Sequence, residues 1–300
     1  MPANQFICPN GERILITECL HRCPYEQRCM FLPTLRAVAN SLDRNVSGAT
    51  VTELIAGIRE TYLKKTIPYA VNPQEVVYAL HGSAVHTLHE GYNNGNIMAE
   101  ERLYDAITSG KFDLYGEILD RETGVLGDLK VTSSYKIIKA LGRYQVRVPT
   151  GTIYKTGLKK GQEKFKKEWR DGGVRNLLDW AIQLNYYRLL LEDQGFTVSK
   201  MIIQALCRDQ SLRIAQERGI DQAIYLIPIQ PIQRAWLLRY MNTKAKALEE
   251  SIVNRKMPPH CKARERWHDR KCLGYCQVAE YCSYGKSLRN ANQTELPEVS

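Results

Sequence analysis

SGKFDLYGEILDRETGVLGDLKVTSS, residues 109–134, reads as a β-hairpin that brings two aspartates and a lysine together. Lys111 to Leu119 and Val125 to Thr132 are rich in β-branched, aromatic and aliphatic residues, and Asp120 to Gly124 between them has turn chemistry, with Gly124 able to take φ > 0. Side chains alternate along a strand, so Asp128 and Lys130 share a face while Leu129 turns the other way, into a core. Asp113 lies across the hairpin. Two hard carboxylates can hold Mg²⁺ or Mn²⁺, and a lysine beside such an ion can orient or help to deprotonate an attacking water. The pattern therefore predicts a metal site suited to phosphodiester chemistry.

Two helices are expected to flank this hairpin. Upstream, NPQEVVYALHGSAVHTLHEG begins with Asn72 as N-cap and Pro73 at the first helical position and runs to Gly91, carrying His81, His86 and His89. Downstream, RNLLDWAIQLNYYRLLLEDQGF places Leu177, Ala181, Leu184 and Leu191 at helical spacing, with Gly195 as a C-cap. This second helix sets Gln183 and Tyr187 one turn apart on a single face.

Gly110-x-x-Asp113 followed by Asp128-x-Lys130 resembles the PD-(D/E)XK nucleases of the RecB-like branch, which includes phage and CRISPR-associated exonuclease-like members. That resemblance implies a restriction-endonuclease-like α/β fold, a mixed sheet flanked by helices. It implies a metal-binding role for His86, which follows Gly82 on the upstream helix, beside Asp113 and Asp128, with Lys130 as the remaining catalytic residue. It also implies that Gln183 and Tyr187 engage DNA near the metal. The matching elements span residues 82 to 187 and say less about either end.

Composition narrows the class. Three hundred residues at 44% hydrophobic suffice for an elaborated α/β core. The N-terminal MPANQFICPN lacks the charged-then-apolar pattern of a signal peptide and no apolar run reaches membrane-spanning length, so the expectation is a soluble, cytoplasmic protein with no membrane partner. The net charge is +10, and between Lys130 and Arg175 thirteen Lys or Arg stand against three acids, which accounts for the whole excess. Lys159, Lys160, Lys164, Lys166 and Lys167 lie in this segment, interleaved with Tyr135, Tyr144, Tyr154, Phe165 and Trp169. Such a segment suits a polyanion gripped by its phosphates and stacked through its bases, so DNA is the expected partner.

Nine cysteines in such a chain point to metal or redox chemistry rather than to disulfides. Cys8, Cys19, Cys23 and Cys29 are separated by ten, three and five residues, and Cys261, Cys272, Cys276 and Cys282 repeat that spacing. Each quartet can wrap a structural Zn²⁺, and thiolates equally hold iron–sulfur clusters. Several RecB-like nucleases carry a [4Fe–4S] cluster on one N-terminal cysteine and a C-terminal triplet. Cys272, Cys276 and Cys282 look similar to that triplet, although its usual first gap is two residues and the extra N-terminal cysteines depart from it. Cys207 reads as a buried apolar residue.

The organisation expected is an N-terminal cysteine module over residues 1–35, a nuclease core over 36–260, and a C-terminal cysteine module with a polar, frayed tail over 261–300. RNVSGATVTELIAGIRETYLKK reads as one capped helix, 198–209 and 223–230 as two strands, and Pro231 to Asn254 as a long helix. Three functions fit: a metal-dependent deoxyribonuclease, most simply an exonuclease in recombination, repair or phage DNA processing with possible helicase or recombination partners; a module of the same fold that binds nucleic acid without cutting; and a zinc-knuckle interaction protein. A pure binder has no need of a metal triad, and a zinc-knuckle protein leaves the Asp/Lys hairpin unexplained.

Overall fold

The computed structural model describes residues 3–42, 48–91, 95–119 and 122–294. At the N-terminus β1 (Gln5–Ile7) and β2 (Arg13–Leu15) form a hairpin, followed by α1 (Ile16–His21) and α2 (Leu32–Leu42). Phe6, Cys19, Leu35 and Val38 give this region a small core of its own. β3 (Ala49–Thr50) then leads into α3 (Val51–Ala56) and α4 (Ile58–Thr66). The sequence predicts one helix across 44–65, of which 44–47 lie outside the described residues. Two are found, because Thr50 and Glu53 form a capping box that starts α3 and Gly57, at φ +143, ends it.

β4 (Ala70–Val71) pairs in parallel with β1. Asn72 caps α5 (Pro73–Val76) through a bond from Gln74 N–H, as its sequence position predicts, but the helix breaks at Val77–Tyr78 and resumes as α6 (Ala79–Gly91). Next come β5 (Ile97–Ala99), β6 (Arg102–Tyr104), β7 (Thr108–Lys111), β8 (Leu114–Gly116), β9 (Val125–Thr132), α7 (Ser134–Leu141), β10 (Tyr144–Ile153) and β11 (Glu163–Arg170). α8 (Leu178–Asp193), β12 (Lys200–Cys207), α9 (Arg213–Glu217), β13 (Ile224–Pro228) and α10 (Arg234–Val253) complete the core. The C-terminal region holds α11 (Arg270–Gly274), a 3₁₀ turn over Ala279–Tyr281, and α12 (Ser283–Thr294).

The molecule is mixed α/β. Its main sheet has the order β13-β12-β9-β8-β5, in which β12 runs parallel to β9 and the other neighbours are antiparallel. Strands β9 and β12 read VLGDLKVT and KMIIQALC, the apolar runs expected of buried central strands. The expected hairpin is shorter than its sequence suggests. Its first strand splits at Phe112–Asp113, so that β7 joins a second sheet (β3-β7-β6) and only β8 pairs with β9. The split has a packing cause: Phe112 is fully buried in the core, and its N–H bonds Glu101 O at 3.1 Å, a neighbour on the β5–β6 connection. In the turn, Asp120 and Arg121 lie outside the described residues, while Gly124 sits at φ +73.

α8 crosses beneath β6, β7, β9 and β12. Its sequence predicts an amphipathic helix, but Trp180, Ile182, Asn185, Tyr186, Tyr187 and Leu189 are buried along with its apolar stripe, because α3 and α10 cover its other sides. The basic segment after β9 reads as a crossing segment of the core. Instead β10 and β11 form a separate two-stranded ribbon. The tail reads as frayed, yet α12 runs through it to Thr294, and residues 295–300 lie outside the described set. No described helix is long and apolar enough to cross a membrane.

Candidate metal and phosphodiester site

The period-two geometry of β9 sets Asp128 and Lys130 on the same face, with Lys130 Nζ 2.7 Å from Asp128 Oδ2. Asp128 is 1% exposed, and neither of its oxygens has a hydrogen-bond partner of good geometry. The β8–β9 register, Leu114 opposite Gly127, brings Asp113 alongside. Asp113 Oδ2 accepts the Leu129 N–H at 2.6 Å. Burial first and the neighbouring Asp128 second push the Asp113 carboxyl up to about 7, against the pull of Lys130, His86 and the Leu129 amide. Two carboxylates taken out of water side by side leave a place for positive charge that Lys130 alone only partly fills.

His86 reaches the same place from α6. Its Nδ1 lies 2.7 Å from Glu100 Oε1 and 3.6 Å from Asp113 Oδ1. The bond to Glu100 raises the imidazole pKa and outweighs burial, with Asp113 adding to it. Glu100 in turn lies 2.5 Å from Lys111 Nζ; burial alone would raise its carboxyl, but His86 and Lys111 hold it below its ordinary value. The ligand atoms of His86, Glu100 and Asp113 all fall within 4.8 Å of one another.

Glu100 is not among the residues that the sequence singles out. It occupies the connection between β5 and β6 at φ 57, a left-handed conformation uncommon for a non-glycine residue and frequent at functional sites. Its N–H donates to Asp113 O at 2.9 Å, which locks the turn to the site. The only signal in the sequence is the acidic pair Glu100-Glu101 ten residues before Gly110, and nothing there says which of the two turns inward.

Tyr187 lies under the site rather than on its rim. It is 3% exposed, so its ring has no free face for a base, and its hydroxyl accepts from Gln183 Nε2 at 3.0 Å. Its pKa is raised, chiefly by burial and further by Asp128 and Asp113, although the hydrogen bond from Gln183 pulls the other way. Gly110 makes this packing possible: a Cβ there would stand 2.5 Å from the Tyr187 ring. The other histidines of the helix go elsewhere. His81 meets Tyr78 edge-on at 6.0 Å. His89 lines an apolar cavity of about 360 Å³ on the reverse face of β9, the side to which Leu129 turns. Lys159, Lys160, Lys166 and Lys167 are exposed and Lys164 half-buried on the β10–β11 ribbon and its tip.

Cysteines of each quartet lie near one another, although among the described residues no three of their sulfurs close to within 4.8 Å of one another as the His86, Glu100 and Asp113 atoms do. Burial first, and then Cys29 and Cys23, raise the Cys8 thiol, while Cys19 is raised by burial and by Cys8, Cys29 and Cys23 in spite of Arg28. Cys261, Cys272, Cys276 and Cys282 line one small cavity of about 30 Å³ whose lining includes no N-terminal cysteine. Burial pushes the Cys276 thiol up to about 11. The Nε–H of Arg59, which lines the same cavity, is buried without a hydrogen-bond partner, while the Nε of Arg266 lies 3.2 Å from Asp269 Oδ1. In both quartets the second cysteine, Cys19 or Cys272, sits in a short helix, α1 or α11. Cys207 is buried, as its strand position predicts.

Compared with known proteins, the chain has no significant match to a family model, a curated protein or a solved structure.

Proposed function

We propose that the chain is a divalent-metal-dependent deoxyribonuclease of the restriction-endonuclease-like class. The observation that carries this reading is Asp128: a buried carboxylate with no hydrogen bond, beside Asp113 and Lys130, calls for a cation. Asp113, His86 and Glu100, whose ligand atoms converge, would hold Mg²⁺ or Mn²⁺, with Asp128, which lies beside Asp113 but outside that cluster, as a further ligand once the ion draws it from Lys130. Such an ion would polarise the phosphate and lower the pKa of a bound water. Lys130, anchored by Asp128, is 23% exposed at its side chain, so its ammonium can meet a water or phosphate oxygen at the metal's edge. Tyr187 and Gln183 would hold the floor of the site rather than touch DNA. The exposed lysines of the β10–β11 ribbon would take the phosphates. The cysteine quartets would hold structural zinc or iron–sulfur clusters.

End-labelled single- and double-stranded DNA incubated with Mg²⁺, with Mn²⁺ or with EDTA provides the test. Cutting should require the metal. Asp113→Ala and Asp128→Ala should each cost at least about 10³-fold in rate. Lys130→Ala should abolish cutting while leaving DNA binding near wild type. Cutting in EDTA, or binding and cutting lost together in Lys130→Ala, would overturn the proposal.

A further inference from the structure

Between α7 and α8 the chain leaves the body as β10 and β11, a ribbon that pairs with no other strand among the described residues. A two-stranded ribbon on its own is marginal in water, so the chemistry displayed on it needs a reason. The register sets Gln145 opposite Trp169, Arg147 opposite Lys167, and Pro149 opposite Phe165. Opposed residues project from the same face, as do alternate residues along one strand. One face therefore presents Trp169, Lys167 and Phe165 in succession from root to tip, with Arg147 among them.

Trp169 is rooted against the main core, while Phe165 is 45% exposed with the Arg147 guanidinium 4.9 Å from its ring centroid. At the tip, the ammonium groups of Lys164 and Lys159 lie 5.4 and 6.0 Å from the Tyr154 ring, and Leu158 stands at 107% exposure. Backbone bonds from Tyr154 N to Gln162 O and from Gly161 N to Tyr154 O, both 2.9 Å, hold this tip in one shape. From Tyr144 to Arg170 there are eight Lys or Arg against two acids. Glu168 lies on the opposite face, paired with Lys166 at 2.8 Å, and Glu163 marks the outer end of β11.

Lysines alone would suit any polyanion. Flat rings set between cations add something that a closed duplex cannot use, because its bases are already stacked and paired, whereas an unpaired strand offers a free π-face at each base. We propose that the ribbon is a track for unpaired nucleic acid along this face, with Arg147 and Lys167, and Lys159 and Lys160 at the tip, on the phosphates and Phe165 beneath the bases. The protein then engages single strands and frayed ends in preference to closed duplex. This rests on the nuclease reading only for its consequence, which end or strand is cut; the binding itself does not require cutting.

The test is fluorescence anisotropy on the full chain without added divalent cation, using three labelled probes of equal length: oligo-dT, a blunt duplex, and an abasic strand that keeps its phosphates but has no bases. Oligo-dT should bind more tightly than the abasic strand. Phe165→Ala should weaken oligo-dT about tenfold and leave the abasic strand unchanged, while Phe165→Trp should restore binding. Exchanging Lys159, Lys160 and Lys167 for Gln should weaken all three probes and flatten the salt dependence by about one unit of slope for each phosphate no longer neutralised. Equal affinity for oligo-dT and the abasic strand would overturn the proposal. So would a uniform loss in Phe165→Ala, or binding to anionic lipid vesicles with no affinity for any oligonucleotide. A chain that passes these tests and never hydrolyses DNA refutes the metal-site reading alone, and a chain that cuts but fails them refutes the track alone.

Discussion

Asp113 bonds the Leu129 amide with one oxygen and faces His86 with the other, so its charge state couples strand β9 to helix α6. Its carboxyl moves from 3.8 to about 7 on folding. A raised value means that the folded protein holds the proton more tightly, so the resulting stability is complete below about pH 4 and is lost as pH rises through 7. His86 is raised as well and acts in the same sense above its unfolded value of 6.5. Without added divalent cation the protein should become easier to unfold in urea as pH climbs across that window, and Asp113→Asn should flatten the trend; a rise in stability would contradict the assignment. Saturating Mn²⁺ should oppose the loss, because a bound cation favours the ionised carboxylates. Glu100→Gln should weaken Mn²⁺ binding about 10- to 100-fold by calorimetry, the usual effect of losing a partner of a metal-ligating histidine. The spacing Asp113, Asp128, Lys130 was legible because strand alternation is a sequence property. Glu100 was not, since only the left-handed turn at φ 57 aims it inward.

At the scale of elements, β7 and α8 meet where Gly110 lies against Tyr187. Gly110→Ala should cost about 1–3 kcal/mol in urea denaturation, the range for overpacking a filled interior, and an unchanged midpoint would show that the ring can swing away. Tyr187→Phe keeps the ring and loses the bond from Gln183, a cost of about 0.5–1.5 kcal/mol. The existence of β9, β12, β13, α8 and α10 could be read from apolar runs and caps. The break of the first hairpin strand could not: Phe112 and Asp113 have no turn residue between them, and the split arises from a core that only the folded chain creates. The same holds for α12. Its polar sequence gives no reason for order, which comes from Arg289 donating to Cys272 O at 2.9 Å and to Cys276 O at 3.0 Å.

At the scale of the whole molecule, the two cysteine modules lie side by side although they sit at opposite ends of the chain; Arg13 of β2 pairs with Glu280 at 2.7 Å. The C-terminal module is also bound to the core through Lys244 with Glu265 at 2.6 Å and through Lys271 with Glu60 at 2.5 Å. Removing metal from the quartets should therefore lower the melting temperature of the entire protein rather than release a loose end, and Cys276→Ala should do the same. Iron–sulfur occupancy would appear as a brown, visible-absorbing protein that Cys276→Ala bleaches, and zinc as a colourless one with up to two ions per chain by elemental analysis, one for each set of four thiolates. Glu60 also bears on how the protein is made. This carboxylate is almost wholly buried; burial would raise its pKa, and Lys64 and Lys271 more than offset that. Lys271 leaves the ribosome about two hundred residues after Glu60. Until it does, α4 carries a carboxylate with half its native compensation, and the surface that should receive α10 and the last cysteines stays open to water. A chain stalled or nicked before Lys271 therefore displays that half-built face, with Glu60 paired to Lys64 alone, for chaperones and proteases to find.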